Sequence, residues 1–381
     1  MTAFTDNVKR SAHFDCHRAV FGAGSGLLFE MSATRREPVA GKQVTIVDVA
    51  RRAGVSKSTV SKHLTARPYV SEAAKTRIAR AIQELGYRPN RMAQGLAAGR
   101  SGLVGVLVPS IANPYQADLV AGIDREATAC GNSILLASAD RERAREHRVL
   151  DGLVRSGVDG LIVTSAYVGD TELARLHAAG VPIVLAGRHV SDVEVDYVVV
   201  DSRQGARLAV EHLAELGHRS IAHVAGPSTI LEFRDRRRSY QDTLRRRGLP
   251  QDKRLVVSGQ PTPQLGREAV ERLLALPSAD RPTALFAAAD WVALGAMGAA
   301  QGAGLAVPGD LSIVGFDNIS FCEVLGTPLT TVDGQPQEIG RRAMQMLQRR
   351  LGGNLTDADP QREILAAELV VRGSTALVNA P

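Results

Sequence analysis

Four side chains that can hydrogen-bond outward fall on one helical stripe: Lys57, Ser58, Ser61 and Lys62. Val60 and Leu64, four residues apart, turn inward, so the polar groups share the opposite face. A lysine ammonium donates to guanine acceptors or to phosphate, and a serine hydroxyl donates or accepts. Such a stripe reads nucleic acid or, more plainly, is a capped and solvated helix face. The charge distribution favours the first. Residues 43–100 hold eleven Lys/Arg against three Asp/Glu, whereas the chain beyond them holds 29 against 33. Phosphates reward clustered cations through counterion release, so a compact cationic module on a near-neutral body is the footprint of a nucleic-acid binder. Enzymatic constellations are missing. There is no nucleophile elbow, Gly102 to Gly105 falls short of the dinucleotide fingerprint, and the histidines from His147 to His223 show no ligand spacing. Cys16, Cys130 and Cys322 match no zinc or disulfide pattern, suit a reducing compartment and read as buried or incidental thiols. No metal site, cofactor or catalytic residue is expected.

The elements that must carry the stripe can be read around it. Thr45 and Asp48 have the spacing of a capping box, Val49, Ala50 and Ala53 form an apolar side, and Gly54 supplies a turn. Ser56 can cap the helix bearing the stripe. Ser71 caps a third helix packed through Ile78, Ala81, Ile82 and Leu85 and ended by Gly86. Residues 43–88 therefore predict a helix-turn-helix with a supporting helix. Pro89 and Asn90 break the pattern, and 89–101 reads as a linker. Residues 1–42 lack sustained period and read as a tail, with Met31 as an alternative translation start that an intact mass would reveal.

From Leu103 onward the texture changes to short β-branched runs alternating with amphipathic helices. Nine strands are expected, from Leu103 to Val108 through Arg254 to Ser258 and on to Ser312 to Gly315, with eight helices among them. Nine strands exceed the usual doubly wound sheet, so two α/β lobes of parallel strands are expected, with a cleft between them. The lobe boundaries read as 103–202 plus 333–352 and 203–332 plus 355–375. With 381 residues, 44% of them apolar, the chain fills several cores, yet no apolar run reaches the roughly 18 residues of a membrane span.

The run from Val44 to Lys62, the pair Val70-Ser71 and the segment Leu85-Gly86-Tyr87-Arg88-Pro89-Asn90-Arg91-Met92-Ala93 closely resemble the head and hinge of lactose-repressor-type (LacI/GalR) bacterial transcription factors. Asn113-Pro114-Tyr115, Leu216-Gly217-His218-Arg219, Asp290 with Ala293-Leu294-Gly295, and Val314-Gly315-Phe316-Asp317 follow in that family's order. The resemblance covers about residues 43–373. It implies a two-lobed body like that of periplasmic binding proteins, a homodimer on palindromic double-stranded operator DNA, and a small sugar-like effector in the cleft. It further implies a cytoplasmic, nucleoid-associated repressor with no membrane partner.

Residue by residue, it implies that Lys57, Ser58 and Lys62 read bases and that Thr59 and Ser61 contact phosphates or cap the helix. Lys62 stands where the family usually has Arg and cannot form the bidentate fork to guanine. Asn90, Arg91 and Leu96 match the hinge, where a leucine wedge opens a pyrimidine-purine step in the minor groove. Arg236 and Asp317 match the effector-holding pair, with a structural ion pair as the alternative. Tyr115 matches a ligand-facing position, with simple packing as the alternative. Asp290 and Trp291 complete the expected site. Several departures bear on the ligand: Ala289 replaces a common Asn, Gln260 replaces an aromatic platform, Trp291 replaces an aliphatic residue, and Ser202 follows Asp201 where Asn is usual. The triads Arg236 to Arg238 and Arg245 to Arg247 read as solvated helix faces or as a bias towards an anionic effector. A periplasmic-type solute receptor is the competing reading. It would share the body and lack residues 44–98.

Overall fold

The computed structural model describes residues 44–64, 70–87, 100–140, 142–353 and 359–378. The expected tail 1–42, the alternative start at Met31, and Asn90, Arg91 and Leu96 lie outside the described residues. The helical unit before residue 88 and the α/β unit after it are taken in turn.

The first unit holds α1 (Ile46–Ala53), α2 (Lys57–Leu64) and α3 (Glu72–Leu85). The capping box forms: the Asp48 N–H donates to Thr45 Oγ1 at 3.4 Å, and the Thr45 N–H donates to Asp48 Oδ2 at 3.0 Å. Gly54 then turns the chain at φ 65°, and Ser71 caps α3 by accepting from the Ala74 N–H. Val49, Val60 and Ile78, one from each helix, are fully buried and form the centre of the small core. An ion pair between Arg52 and Glu84 ties α1 to α3 at the rim. The Arg80 guanidinium beside Glu84, helped by Arg52, holds that carboxyl below its ordinary range.

The second unit begins with β1 (Leu103–Val108), α4 (Pro114–Ala129), β2 (Ser133–Ser138), α5 (Arg143–Arg155), β3 (Gly160–Val163), α6 (Thr171–Ala178), β4 (Ile183–Ala186) and β5 (Asp196–Val200). It continues with α7 (Ser202–Glu215), β6 (Ile221–Ala225), α8 (Leu231–Arg246), β7 (Val256–Ser258), α9 (Pro263–Leu274), β8 (Ala284–Ala287), α10 (Asp290–Gly302) and β9 (Ser312–Asp317). It closes with β10 (Thr330–Asp333), α11 (Pro336–Leu351), β11 (Arg362–Leu365) and β12 (Glu368–Val370). These strands make two six-stranded sheets, ordered β11-β5-β4-β3-β1-β2 and β12-β10-β9-β8-β6-β7. All pairings are parallel except β10 with β12. Central strands such as β3, β4 and β8 are buried along their whole length, as sheets covered on both faces require.

Three differences from the expectation are physical in origin. Residues 362–365 were assigned to the second lobe, but Arg362–Leu365 pairs in parallel with Tyr197–Val200 at the edge of the first sheet. After only two intervening residues Glu368 faces Asp333 in the second sheet. The chain thus crosses between the lobes three times, near residues 201, 334 and 366. Strands β11 and β12 escape prediction because they are edge strands with exposed side chains, and β10 because its Thr-Thr-Val-Asp run has a single strongly apolar residue. The strand expected from Arg254 starts at Val256, because Asp252 caps a single 3₁₀ turn over Lys253–Leu255. Of the two cysteines within the described residues, Cys322 is buried and Cys130 exposed.

Candidate functional site

In the helical unit, α2 hides only Val60. The Ser56 hydroxyl accepts from the Thr59 N–H at 3.1 Å and lies 2.7 Å from the Ser58 hydroxyl, so the cap read from the sequence also fixes the first hydroxyl of the stripe. Lys57, Ser58 and Lys62 are exposed, whereas Thr59 and Ser61 are half-buried and flank them. Outward donors on a short helix held by two others suit contact with a groove.

In the α/β unit the candidate residues gather at the carboxyl ends of strands in both sheets, where parallel α/β folds bind ligands. Tyr115 follows β1 and starts α4, its N–H donating to Asn113 Oδ1. Gly187 follows β4 at φ 68°, and a Cβ there would lie 2.4 Å from the Tyr115 Oη. Only glycine accepts both the backbone and the phenol. Across the cleft, Arg236 is 4% exposed, and its guanidinium carbon lies 3.5 Å from the Phe316 ring centroid. Its Nε donates to Ser202 Oγ at 3.3 Å, its Nη1 donates to the Ala288 carbonyl at 2.5 Å, and Nη1 stands 3.6 Å from Asp317 Oδ1. The departure at Ser202 therefore supplies an acceptor to this arginine.

Asp317, the last residue of β9, is held at φ 127°, a left-handed conformation that a non-glycine residue seldom adopts outside functional sites. Burial pushes its carboxyl up to about 7, against the pull of Arg236. Burial also raises the Tyr115 phenol, and the Asp317 carboxylate raises it further, so the two residues sense each other across the lobes. Arg236, Asp317 and Tyr115 are thus brought together.

Asp290 adjoins that cluster through Asp317 but turns its own carboxylate elsewhere. It is fully buried and already partnered: Oδ2 accepts from the Ile319 N–H at 3.0 Å and the Cys322 thiol at 3.1 Å, and Oδ1 accepts from Thr331 Oγ1 at 2.5 Å. A Cβ at Gly315 would meet Asp290 Oδ1 at 2.0 Å, which explains the glycine in the Val-Gly-Phe-Asp run. The expected effector contact at Asp290 is corrected to a buried brace under β9 and β10. Trp291, next in α10, is half-buried, and Gln260 is exposed. The arginine triads divide. Arg236 is buried in the cleft, while Arg245 and Arg247 make surface ion pairs with Asp242 and Glu215.

Sequence reasoning missed Arg188, His189, Glu232 and Phe233. Arg188 and His189 follow β4 in the first lobe, and Glu232 and Phe233 open α8 in the second. The His189 N–H donates to Glu232 Oε1 at 2.8 Å, with His189 Nδ1 2.7 Å from the same oxygen. The Val168 N–H donates to the Thr229 carbonyl at 3.0 Å, and the Ser320 N–H to Asp118 Oδ2 at 3.3 Å. These bonds join the lobes. The available signal was position alone, since each residue follows the carboxyl end of a predicted strand.

No metal-binding group of three or more ligands occurs among the described residues, and no described helix is long and apolar enough to cross a membrane.

Comparison with known proteins supplies the context. Residues 45–90 match the model of bacterial regulatory proteins of the lacI family, and residues 210–375 match that of a periplasmic binding protein-like domain. Catabolite control protein A of Priestia megaterium is 36% identical over 316 residues, 83% of this chain and 95% of that protein. A lac repressor dimer bound to operator and the anti-inducer ONPF superposes with a TM-score of 0.77 at 30% identity, over 88% of this chain and 100% of that one. A transcriptional regulator CelR–cellobiose complex gives 0.66 at 33% identity, over 87% and 99%.

Proposed function

Because the chain belongs to the lacI family of bacterial regulatory proteins, we propose that it is a repressor whose grip on a symmetric operator is set by a small polar effector between its lobes. The observation that carries this reading is the buried Arg236–Asp317 pair facing Tyr115 across two lobes that are themselves hydrogen-bonded together. Members of this family are transcription regulators, not enzymes. A solute receptor does not account for residues 45–90.

On DNA, Lys57, Ser58 and Lys62 meet base edges in the major groove, Thr59 and Ser61 meet phosphates, and Asn90, Arg91 and Leu96 supply the hinge and its minor-groove wedge. In the cleft, Arg236 donates and Asp317 accepts, which suits the hydroxyls of a sugar, the class of ligand in the cellobiose complex. Tyr115 from the first lobe and Trp291 from the second complete the proposed effector contacts. An effector that prefers one lobe closure shifts the population of closures and, with it, operator affinity by the difference in its binding energy.

A two-fold operator needs two copies, as in the operator-bound lac repressor dimer. Each lobe offers an apolar surface for a second copy. Ile111, Val120, Ile134 and Leu136 line a groove beside α4 and the edge strand β2, and Leu294, Met297, Leu305 and Leu325 line another along α10. Cytoplasmic location at the nucleoid follows from the operator.

The test pairs two assays. A symmetric operator duplex, selected from a random library, is retarded by the wild-type protein and not by a Lys62→Ala, Leu96→Ser variant. A thermal-shift screen of sugars, sugar acids, sugar phosphates and nucleosides yields a hit whose stabilisation disappears in Arg236→Ala. Equal stabilisation of both proteins sinks the cleft assignment, and failure to retard any symmetric duplex at low salt sinks the repressor.

A further inference from the structure

The cleft's charges are unequally matched. Arg236 has Asp317 beside it, and Glu232 has His189. Arg188 has no carboxylate within ion-pair distance among the described residues, and its side chain donates only to its own neighbour, the Gly187 carbonyl, at 2.9 Å. Its guanidinium carbon stands 4.9 Å from the centroid of the Phe233 ring, which reaches it from the opposite lobe. Arg236 lies 5.3 Å from that same ring. Phe233 therefore stands between two guanidinium groups, one from each lobe, and stacking on it limits how Arg188 can turn.

The second mismatch is an acceptor. Glu232 is 2% exposed, and while its Oε1 takes both bonds from His189, no donor among the described residues reaches its buried Oε2. Glu232 bonds His189 across the two lobes and acts electrostatically on Tyr115 and Arg236, so its carboxylate belongs to the cleft. A buried oxygen without a donor is destabilising until something supplies one. A ligand completing this site brings a hydroxyl for Glu232 Oε2 and an acceptor for Arg188. A sugar hydroxyl can accept from Arg188, but only an anion also supplies the carboxylate-like partner that Arg188, unlike Arg236, lacks at ion-pair distance among the described residues.

We propose that the effector is a polyol carrying one anionic group, a carboxylate or a phosphate, with Arg188 reading the anion and Glu232 a hydroxyl. This rests on the cleft reading above and narrows it to a ligand class. The fork of a guanidinium matches both anions, so the geometry names their shared chemistry, and the assay separates them.

The experiment uses the full-length protein in a thermal-shift and calorimetry panel of matched compounds: glucose with gluconate, glucuronate and glucose 6-phosphate, and galactose with galacturonate and galactose 1-phosphate. Stabilisation by an anionic member above its neutral parent is expected. Carboxylated members responding alone identify the anion as a carboxylate, and phosphorylated members responding alone identify a phosphate. Arg188→Gln weakens the anionic hit by about tenfold or more, as loss of a charge-assisted bond predicts. Arg188→Lys recovers part of that loss, and both variants keep the wild-type far-ultraviolet circular dichroism. Two outcomes overturn the inference: a panel in which no anionic member stabilises the protein, or an anionic hit whose affinity Arg188→Gln leaves unchanged. Operator retardation by the ligand-free wild type is measured alongside. If retardation occurs and the anion test fails, only the ligand class falls; if retardation is absent as well, the repressor reading falls with it.

Discussion

At the residue scale the cleft is governed by how burial acts on charge. Asp317 keeps a carboxyl raised to about 7, above the ordinary aspartate range, because burial outweighs the attraction of Arg236. The native state holds a proton there that an unfolded chain has already released, so this group's contribution to stability falls as pH rises from about 3.8 through 7. Effector binding has the opposite slope, since hydroxyls donate best to the ionised form. The affinity of the hit from the sugar screen, measured by calorimetry, should rise between pH 6 and pH 8, and Asp317→Asn should flatten that profile and weaken binding. Asp290 shows why residue type alone misleads. It stands in a motif shared with the family, yet both of its carboxylate oxygens are engaged in the brace of Ile319, Cys322 and Thr331. Asp290→Asn is accordingly a stability variant, expected to lower the melting temperature by leaving a misplaced donor against buried partners, at a cost of roughly 1–3 kcal/mol.

At the element scale the head was the most legible part. Caps at Thr45, Ser56 and Ser71 and glycine stops at Gly54 and Gly86 are local interactions within four residues, and all five are seen in the structure. The same locality makes α2 testable. Lys57→Ala and Lys62→Ala should each weaken operator binding, and a variant that loses a phosphate contact should lower the slope of log affinity against log salt by about one, as read by fluorescence anisotropy from 50 to 300 mM salt. Loss of a base-edge contact should instead relax discrimination at one base pair by about 1–3 kcal/mol. The strands of the body were legible where they are central and apolar. They were not at β11 and β12, edge strands with no hydrophobic pattern of their own to declare, nor at β10, whose Thr-Thr-Val-Asp run carries a single strongly apolar residue although it is buried between β9 and β12.

For the whole molecule, the three crossings near residues 201, 334 and 366 form a set of connections about which two lobes can change their closure, and the bonds from His189 to Glu232 and from Val168 to Thr229 are contacts that any opening must break. The dimer belongs to this scale too. Leu136 is 42% exposed on the edge strand β2, a large apolar side chain on an edge that a monomer would be expected to protect. Leu136→Asp, alone or with Met297→Asp, should convert a dimer to a monomer in sedimentation velocity and reduce affinity for the palindromic duplex on the order of tenfold or more, since each head then binds its half-site unaided.

The amino-acid order by itself determined the cationic helical head and the two-lobed α/β body, because helical stripes, caps and apolar runs are set by neighbours in the chain, whereas Arg236, Asp317 and Tyr115 were singled out only by their match to the family's motifs. The tertiary structure decided what those groups face. Arg188, His189, Glu232 and Phe233 come from loops and helix starts more than 40 residues apart, and only the packing of one lobe against the other makes a shared charge environment of them. It also turned Asp290 from a ligand candidate into a brace and carried β11 back to the first sheet. Burial, charge pairing and strand register depend on what arrives from elsewhere in the chain, and no local pattern encodes that.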